Sequence, residues 1–190
     1  MKKSKKIISL LLAILILTSV MFSDALSTEA ATKKNKTVKS HVQMSFWNQN
    51  YKKAPAIKIG TTEVRLFKKN AMFKFTAPTT KTYKFTFSDL AFIGNEKKLI
   101  SAEIRSYKPN GNNKTENTMK YVKLKSQGKK TSEIIINSNL VILPDSPSSA
   151  KIIKSNSGTI KLKKGETIYF SVGFGGTISS SRAKLNVKVQ

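Results

Sequence analysis

Trp47-Asn48-Gln49-Asn50-Tyr51 sets the only tryptophan of the chain beside three amides and a tyrosine. A flat ring next to amides is what a sugar platform needs. The ring meets the apolar face of a pyranose, and the amides exchange hydrogen bonds with its hydroxyls. Trp47, Asn48, Asn50 and Tyr51 are therefore candidate ligand-binding residues. Val42, Met44 and Phe46 alternate with Gln43 and Ser45, which turns Trp47 to the opposite, more open face of a strand. The competing reading is that a lone aromatic at a strand end simply packs.

Charge is the second candidate chemistry. The 190 residues carry 35 Lys plus Arg against 10 Asp plus Glu, a net charge of +25, and only Arg65, Arg105 and Arg182 of the basic groups are Arg. Such an excess concentrates anionic polymers near the surface. Lys74, Lys84, Lys161, Lys163, Lys184 and Lys188 occupy polar positions in or beside alternating runs and are candidate contacts for anionic polymers or glycans of a cell envelope. Nonspecific nucleic acid and anionic membrane are alternative partners of the same lysines. Lysine is a point charge rather than a fork, which argues against base-specific reading. Exposed lysine also keeps sheet edges from aggregating, and that is the plainer account of the same residues.

Other chemistry is narrowed by composition. There is no Cys and one His, His41. Disulfides, thiolate metal sites and cysteine nucleophiles are excluded, and a Ser-His-Asp triad has only His41 to draw on. Beyond residue 31 the carboxylates are Glu63, Asp89, Glu96, Glu103, Glu116, Glu133, Asp145 and Glu166, and no spacing among them marks an acid/base pair. A hydrolase reading would need folding to bring two of them together. Asp89 is a weak calcium candidate, because hard cations want several oxygen ligands. Ser179-Ser180-Ser181-Arg182 follows Phe174-Gly175-Gly176 but lacks the strand–loop–helix setting of a phosphate site. The expectation is a non-catalytic protein without cofactor or metal.

The elements that position these residues begin after a targeting segment. Lys2, Lys3, Lys5 and Lys6 precede an apolar run, Ile7 to Phe22, and then small residues including Ala25, Ala30 and Ala31. This order is that of a secretory signal peptide, 1–31, with Ala25 and Ala30 as rival cleavage points, and it implies secretion with retention at the wall by charge alone. Cleavage after Ala31 removes four Lys, Asp24 and Glu29, leaving 31 basic and 8 acidic groups, a net +23. Residues 32–40 read as a flexible basic leader. From 41 to 190 the period is two: Phe73/Phe75, Tyr83/Phe85/Phe87, Ile100/Ala102/Ile104, Ile160/Leu162, Ile168/Phe170/Val172 and Leu185/Val187/Val189 alternate with polar residues. Such a pattern buries one face of each strand. Ala77-Pro78-Thr79-Thr80-Lys81 and Lys163-Lys164-Gly165-Glu166 sit at hairpin positions. Nine or ten short strands predict a single all-β domain, a β-sandwich of jelly-roll type, with 108–157 as an elaboration between core strands.

Two stretches resemble a known family. Phe73-Lys74-Phe75-Thr76-Ala77-Pro78-Thr79-Thr80-Lys81-Thr82-Tyr83 and Leu162-Lys163-Lys164-Gly165-Glu166-Thr167-Ile168-Tyr169 are similar to the paired hairpins of the bacterial pre-peptidase C-terminal domain. That is a small jelly-roll module of secreted and cell-surface proteins. Lys81 stands where the family commonly carries glycine. The resemblance covers about a quarter of the chain beyond residue 31 and implies a sandwich with an accessory, non-catalytic role.

Overall fold

The computed structural model describes residues 36–45, 49–110, 119–138 and 152–190. The signal segment 1–31, its cleavage points, and Trp47 and Asn48 lie outside the described residues. Thirteen strands form among those described: β1 (Lys36–Ser40), β2 (Ala56–Ile57), β3 (Gly60–Leu66), β4 (Ala71–Thr76), β5 (Lys81–Phe92), β6 (Ile100–Pro109), β7 (Met119–Tyr121), β8 (Leu124–Ser126), β9 (Lys129–Thr131), β10 (Glu133–Ser138), β11 (Ser155–Leu162), β12 (Thr167–Gly176) and β13 (Ala183–Val189). They pair into two sheets, one ordered β1-β3-β13-β5-β11-β8-β9 and the other β10-β6-β12-β4-β2, with β7 added beside β6.

The eight longer strands nest. β3 pairs with β13, β4 with β12, β5 with β11 and β6 with β10, all antiparallel. A ribbon folded on itself in this way, with alternate pairs falling in opposite sheets, is a jelly roll. The predicted all-β sandwich is the observed architecture. The strand count exceeds nine or ten because β1, β2, β7, β8 and β9 are short additions. β10 lies within 108–157 yet is a core strand, burying Ile134 and Ile136.

Alternation explains the interior. Phe73, Phe75 and Phe170 point inward from the second sheet and meet Phe85 and Phe87 from the first. Phe170 has ring-centroid distances of 5.2 Å to Phe73, 4.9 Å to Phe85 and 5.5 Å to Phe87. Tyr83 keeps its ring in the core while its hydroxyl donates to the Thr79 carbonyl at 2.8 Å, which ties down the turn entering β5. The period then slips. Asp89 adopts a positive φ of 54°, and opposite it the pairing with β13 shifts between Lys184 and Asn186. This bulge puts both Phe87 and Leu90 inside and lets β5 run on to Phe92. The Asp89 carboxylate spans the bulge, accepting from Ser88 Oγ and Asn186 Nδ2, each at 2.9 Å.

Two local readings are corrected. Lys36–Ser40, read as leader, is strand β1, parallel to β3. Val38 packs on the core, and buried Ser40 donates to the Met72 carbonyl at 2.5 Å. One apolar residue in five is too short a pattern to declare a strand, but the ladder groups on the edge of β3 need a partner. Val42–Ser45 is not a strand beyond one bridge, Gln43 to Ala71. This segment and a 3-10 turn, Gln49–Lys53, instead lie over the outer face of the second sheet.

Candidate functional site

The outer face of the first sheet carries several of the basic residues. Inward Tyr83, Phe85, Leu162 and Val187 fix the outward direction of Lys84, Lys161 and Lys188, all exposed. Register then places them. Lys84 lies opposite Thr159, Thr159 opposite Lys125, and Lys125 opposite Lys130, a transverse row across four strands. Lys161 faces Thr82 and Lys188 faces Thr86, so each sits diagonally from Lys84. Neighbouring strands are about 4.8 Å apart and diagonal partners roughly 7–8 Å.

Lys125 and Lys130 were not singled out by sequence. The signal available was the tight hairpin between them, where Gln127 (φ 47°) and Gly128 (φ 81°) take the two left-handed positions of a type I′ turn. What places that hairpin on this face is Gly158 of β11. A Cβ there would lie 2.8 Å from Leu124 Cβ and 2.9 Å from Ile134 Cδ1, so only glycine lets Leu124 close over the strand. Gly158→Ala is expected to cost about 1–3 kcal/mol by overpacking and to loosen the β8–β9 hairpin. Urea unfolding, with amide exchange at Lys125 and Lys130, would check both effects.

Of the other lysines predicted as contacts, Lys184 shares this face but pairs with Glu96 at 3.2 Å. That pairing, after the local backbone hydrogen bonding at Glu96, holds the Glu96 carboxyl below its ordinary range. Lys163 sits in the turn at the end of β11 and is exposed. Lys74 does not join the group. It lies on β4 in the other sheet, where its ammonium donates to the Lys52 carbonyl at 2.7 Å. Among the described residues the five ion pairs use Arg65, Arg105, Lys108 and Lys184, and no carboxylate lies within 4 Å of the Lys84, Lys125, Lys130, Lys161 or Lys188 ammonium.

The turn after β11 is locked by Glu166, which accepts from the Lys108 ammonium and from the Lys163 backbone N–H at 2.9 Å. The Lys108 hydrogen bond, then that of Lys163, holds the Glu166 carboxyl below its ordinary 4.5. A depressed folded value contributes stability that is present above the ordinary pKa and lost as pH falls through the folded one. Glu166→Gln is therefore expected to flatten the acid limb of the stability profile between about pH 5 and pH 2. The carboxylate is a third exposed, so the difference should stay below about 1 kcal/mol. Thermal unfolding of both proteins across that range would measure it.

Of the sugar platform, Trp47 and Asn48 lie outside the described residues, and Tyr51 is not presented on an open surface. Tyr51 is 8% exposed and packs edge-on to Tyr169 at 5.2 Å, inside a satellite cluster with Ala54, Met72, Tyr107 and Met119. Burial, and then the neighbouring Tyr51, pushes the Tyr169 phenol up. Tyr51 thereby pins the crossing segment to the second sheet. Asn50 is exposed. His41 is exposed and stacks on Phe67 at 4.5 Å. In the 179–182 loop, Ser180 exchanges hydrogen bonds with the Arg182 backbone, and the Arg182 guanidinium lies over the Phe67 ring.

Two carboxylates do meet on the second sheet, both on Arg105. Glu103 and Glu133 contact its Nε, the latter at 3.0 Å. Burial opposes the charge on Arg105, but the Glu103 hydrogen bond and the two negative charges outweigh it and raise its pKa. No group of three His, Cys, Asp or Glu side chains placed to hold a metal ion occurs among the described residues.

No protein-family model matches the chain, and no curated protein matches it. Among solved structures, CorA of Methylomicrobium album BG8, a surface-associated copper-binding protein, aligns with a TM-score of 0.35 and 9% identity over 80% of this chain and 99% of that one.

Proposed function

We propose that this protein is a secreted, non-catalytic module of the pre-peptidase C-terminal type that binds anionic glycopolymers of the cell envelope through the outer face of its first sheet. The observation that carries this reading is the row of Lys84, Lys125 and Lys130, flanked diagonally by Lys161 and Lys188, with no carboxylate within 4 Å of their ammonium groups among the described residues. Like charges placed directly opposite on a sheet repel. A chain of phosphates or carboxylates laid across the row replaces that repulsion with attraction. The mechanism is many weak contacts at an exposed surface, so it is screened by salt.

The test is retention of the protein on an immobilised glycerol-phosphate polymer, with neutral dextran as control. Raising salt from about 0.1 M to about 1 M shrinks the Debye length from about 10 Å to about 3 Å, and retention should fall at least tenfold. Retention that ignores salt, or that is absent at low salt, would overturn the reading. Duplex DNA and anionic vesicles serve as competitors at fixed ionic strength. Displacement by either as effective as that by free glycerol-phosphate polymer would reduce the specificity to charge alone. The row contains no arginine, and Arg65, on β3 opposite Lys184, is bound to Glu63 at 2.6 Å, so base-specific readout has no fork to use.

A further inference from the structure

The opposite side of the sandwich carries a hollow of different chemistry. The outward residues of β12 shrink along the strand, from Tyr169 to Ser171 to Gly173, while its neighbours keep large side chains. Register sets Arg105 beside Ser171 and Glu103 beside Gly173. Asn70 reaches in from the turn before β4, held at a positive φ of 58°, and Met44 closes that side. Tyr107 and Tyr121, opposed in register with rings 4.9 Å apart, form the end wall. The hollow is open to solvent on its outer side, and its volume is about 210 Å³. A Cβ at position 173 would meet Asn70 Oδ1 at 2.9 Å, so the missing side chain is what opens the floor.

The groups around this hollow differ from the rest of the surface. Tyr121 is half exposed and presents aromatic surface, while Tyr107 beneath it is buried. Asn70 supplies an amide, Ser171 a hydroxyl, Glu103 a carboxylate and Arg105 a guanidinium whose orientation Glu103 and Glu133 fix. Among the lining groups the charges of Glu103 and Arg105 cancel, and Glu133 also contacts the guanidinium, so no unmatched cation lines the hollow. An acidic ligand finds no attraction here. A hydroxylated ring with an apolar face does, because polar groups that can donate and accept stand beside a flat aromatic. The volume falls below the roughly 300–1,000 Å³ of pockets that hold drug-sized molecules, so it suits one ring.

We infer that this hollow, lined by Asn70, Glu103, Arg105, Tyr121, Ser171 and Gly173, binds a single non-acidic pyranose, neutral or amine-bearing. The ring stacks on Tyr121, and its hydroxyls are held by Asn70, Glu103 and Arg105. This site is independent of the basic face, lies on the other sheet and does not draw on the lysines.

The test is an amide NMR titration of the protein with methyl glucoside, glucosamine and glucuronate. Saturable shifts confined to Asn70, Arg105, Tyr121 and Gly173 are expected for the first two, with glucuronate at least tenfold weaker. Binding should be unaffected by salt, which separates it from polymer retention on the other face. Tyr121→Ala should weaken binding at least tenfold. Gly173→Ala should do likewise by bringing the Asn70 amide into conflict with the floor. Its new methyl meets a movable side-chain tip rather than backbone, so this variant keeps its fold if Tyr121→Ala does not. Non-saturating shifts spread over the surface, glucuronate binding as well as glucoside, or full binding by a folded Gly173→Ala protein would overturn the inference.

Discussion

Phe170→Ala is expected to destabilise the fold by about 3–5 kcal/mol, the largest effect of a single side chain in this core. Phe170 is fully buried and bridges the sheets, with Phe73 on its own sheet and Phe85 and Phe87 on the other. Truncation removes the transfer free energy of the ring and leaves a hole walled by three other rings, which cannot collapse without moving both sheets. Domains of this size have a total stability of roughly 5–15 kcal/mol, so about a fifth or more would be lost. The melting temperature should fall by about 10 °C or more. Phe174→Ala is the comparison. Phe174 is 7% exposed, and its aromatic contact, Phe92, is 6.4 Å away, so its cost should be smaller. Urea midpoints at unchanged slope would measure both. A cost below about 1 kcal/mol for Phe170→Ala would mean that the rings do not couple the sheets.

Replacing Lys84, Lys125, Lys130, Lys161 and Lys188 together by Gln is expected to weaken retention on the glycerol-phosphate polymer by about 100-fold or more at low salt. Each ammonium near a densely anionic surface contributes about 1 kcal/mol, and five acting together exceed that factor even when they are not additive. The informative control removes five lysines elsewhere, Lys52, Lys58, Lys69, Lys97 and Lys154. The change in net charge is the same. If the control loses as much as the face variant, net charge alone drives association and the row has no special role. The face variant should be no less stable than the parent, because Lys125 and Lys130 repel across their hairpin. Loss of stability in step with loss of retention would falsify the claim that these lysines are placed for an external partner.

How much of this was legible depends on the range over which each pattern acts. Strand interiors were readable because a period of two is local: Tyr83, Phe85 and Phe87, or Ile168, Phe170 and Val172, declare their buried face within five residues. The turns at Ala77–Lys81 and after Leu162 were readable for the same reason, but not as hairpins: each carries the chain from one sheet to the other, so the strands they join do not pair. The bulge at Asp89 was not, since the slip that brings Leu90 inside depends on the shifted pairing with β13. β1 carries one apolar residue and exists through the open edge of β3. Trp47–Tyr51 announced a sugar platform by composition, yet Tyr51 was claimed by the apolar outer residues Met72 and Tyr169 of another part of the chain.

The sequence by itself determined the all-β class, the inward and outward side of most strands, the positions of the turns and the large excess of positive charge. All of these follow from residue type and near-neighbour spacing. The tertiary structure decided which outward residues share a face. Lys74 and Lys84 occupy equivalent positions in consecutive strands that read as a hairpin, yet they fall on opposite sheets, because a jelly roll sends successive strands across the core. Lys125 and Lys130 joined Lys84 only because Gly158 let Leu124 close over β11. Alternation assigns each side chain a side; only the order of strands in space assigns it neighbours, and a binding surface is made of neighbours.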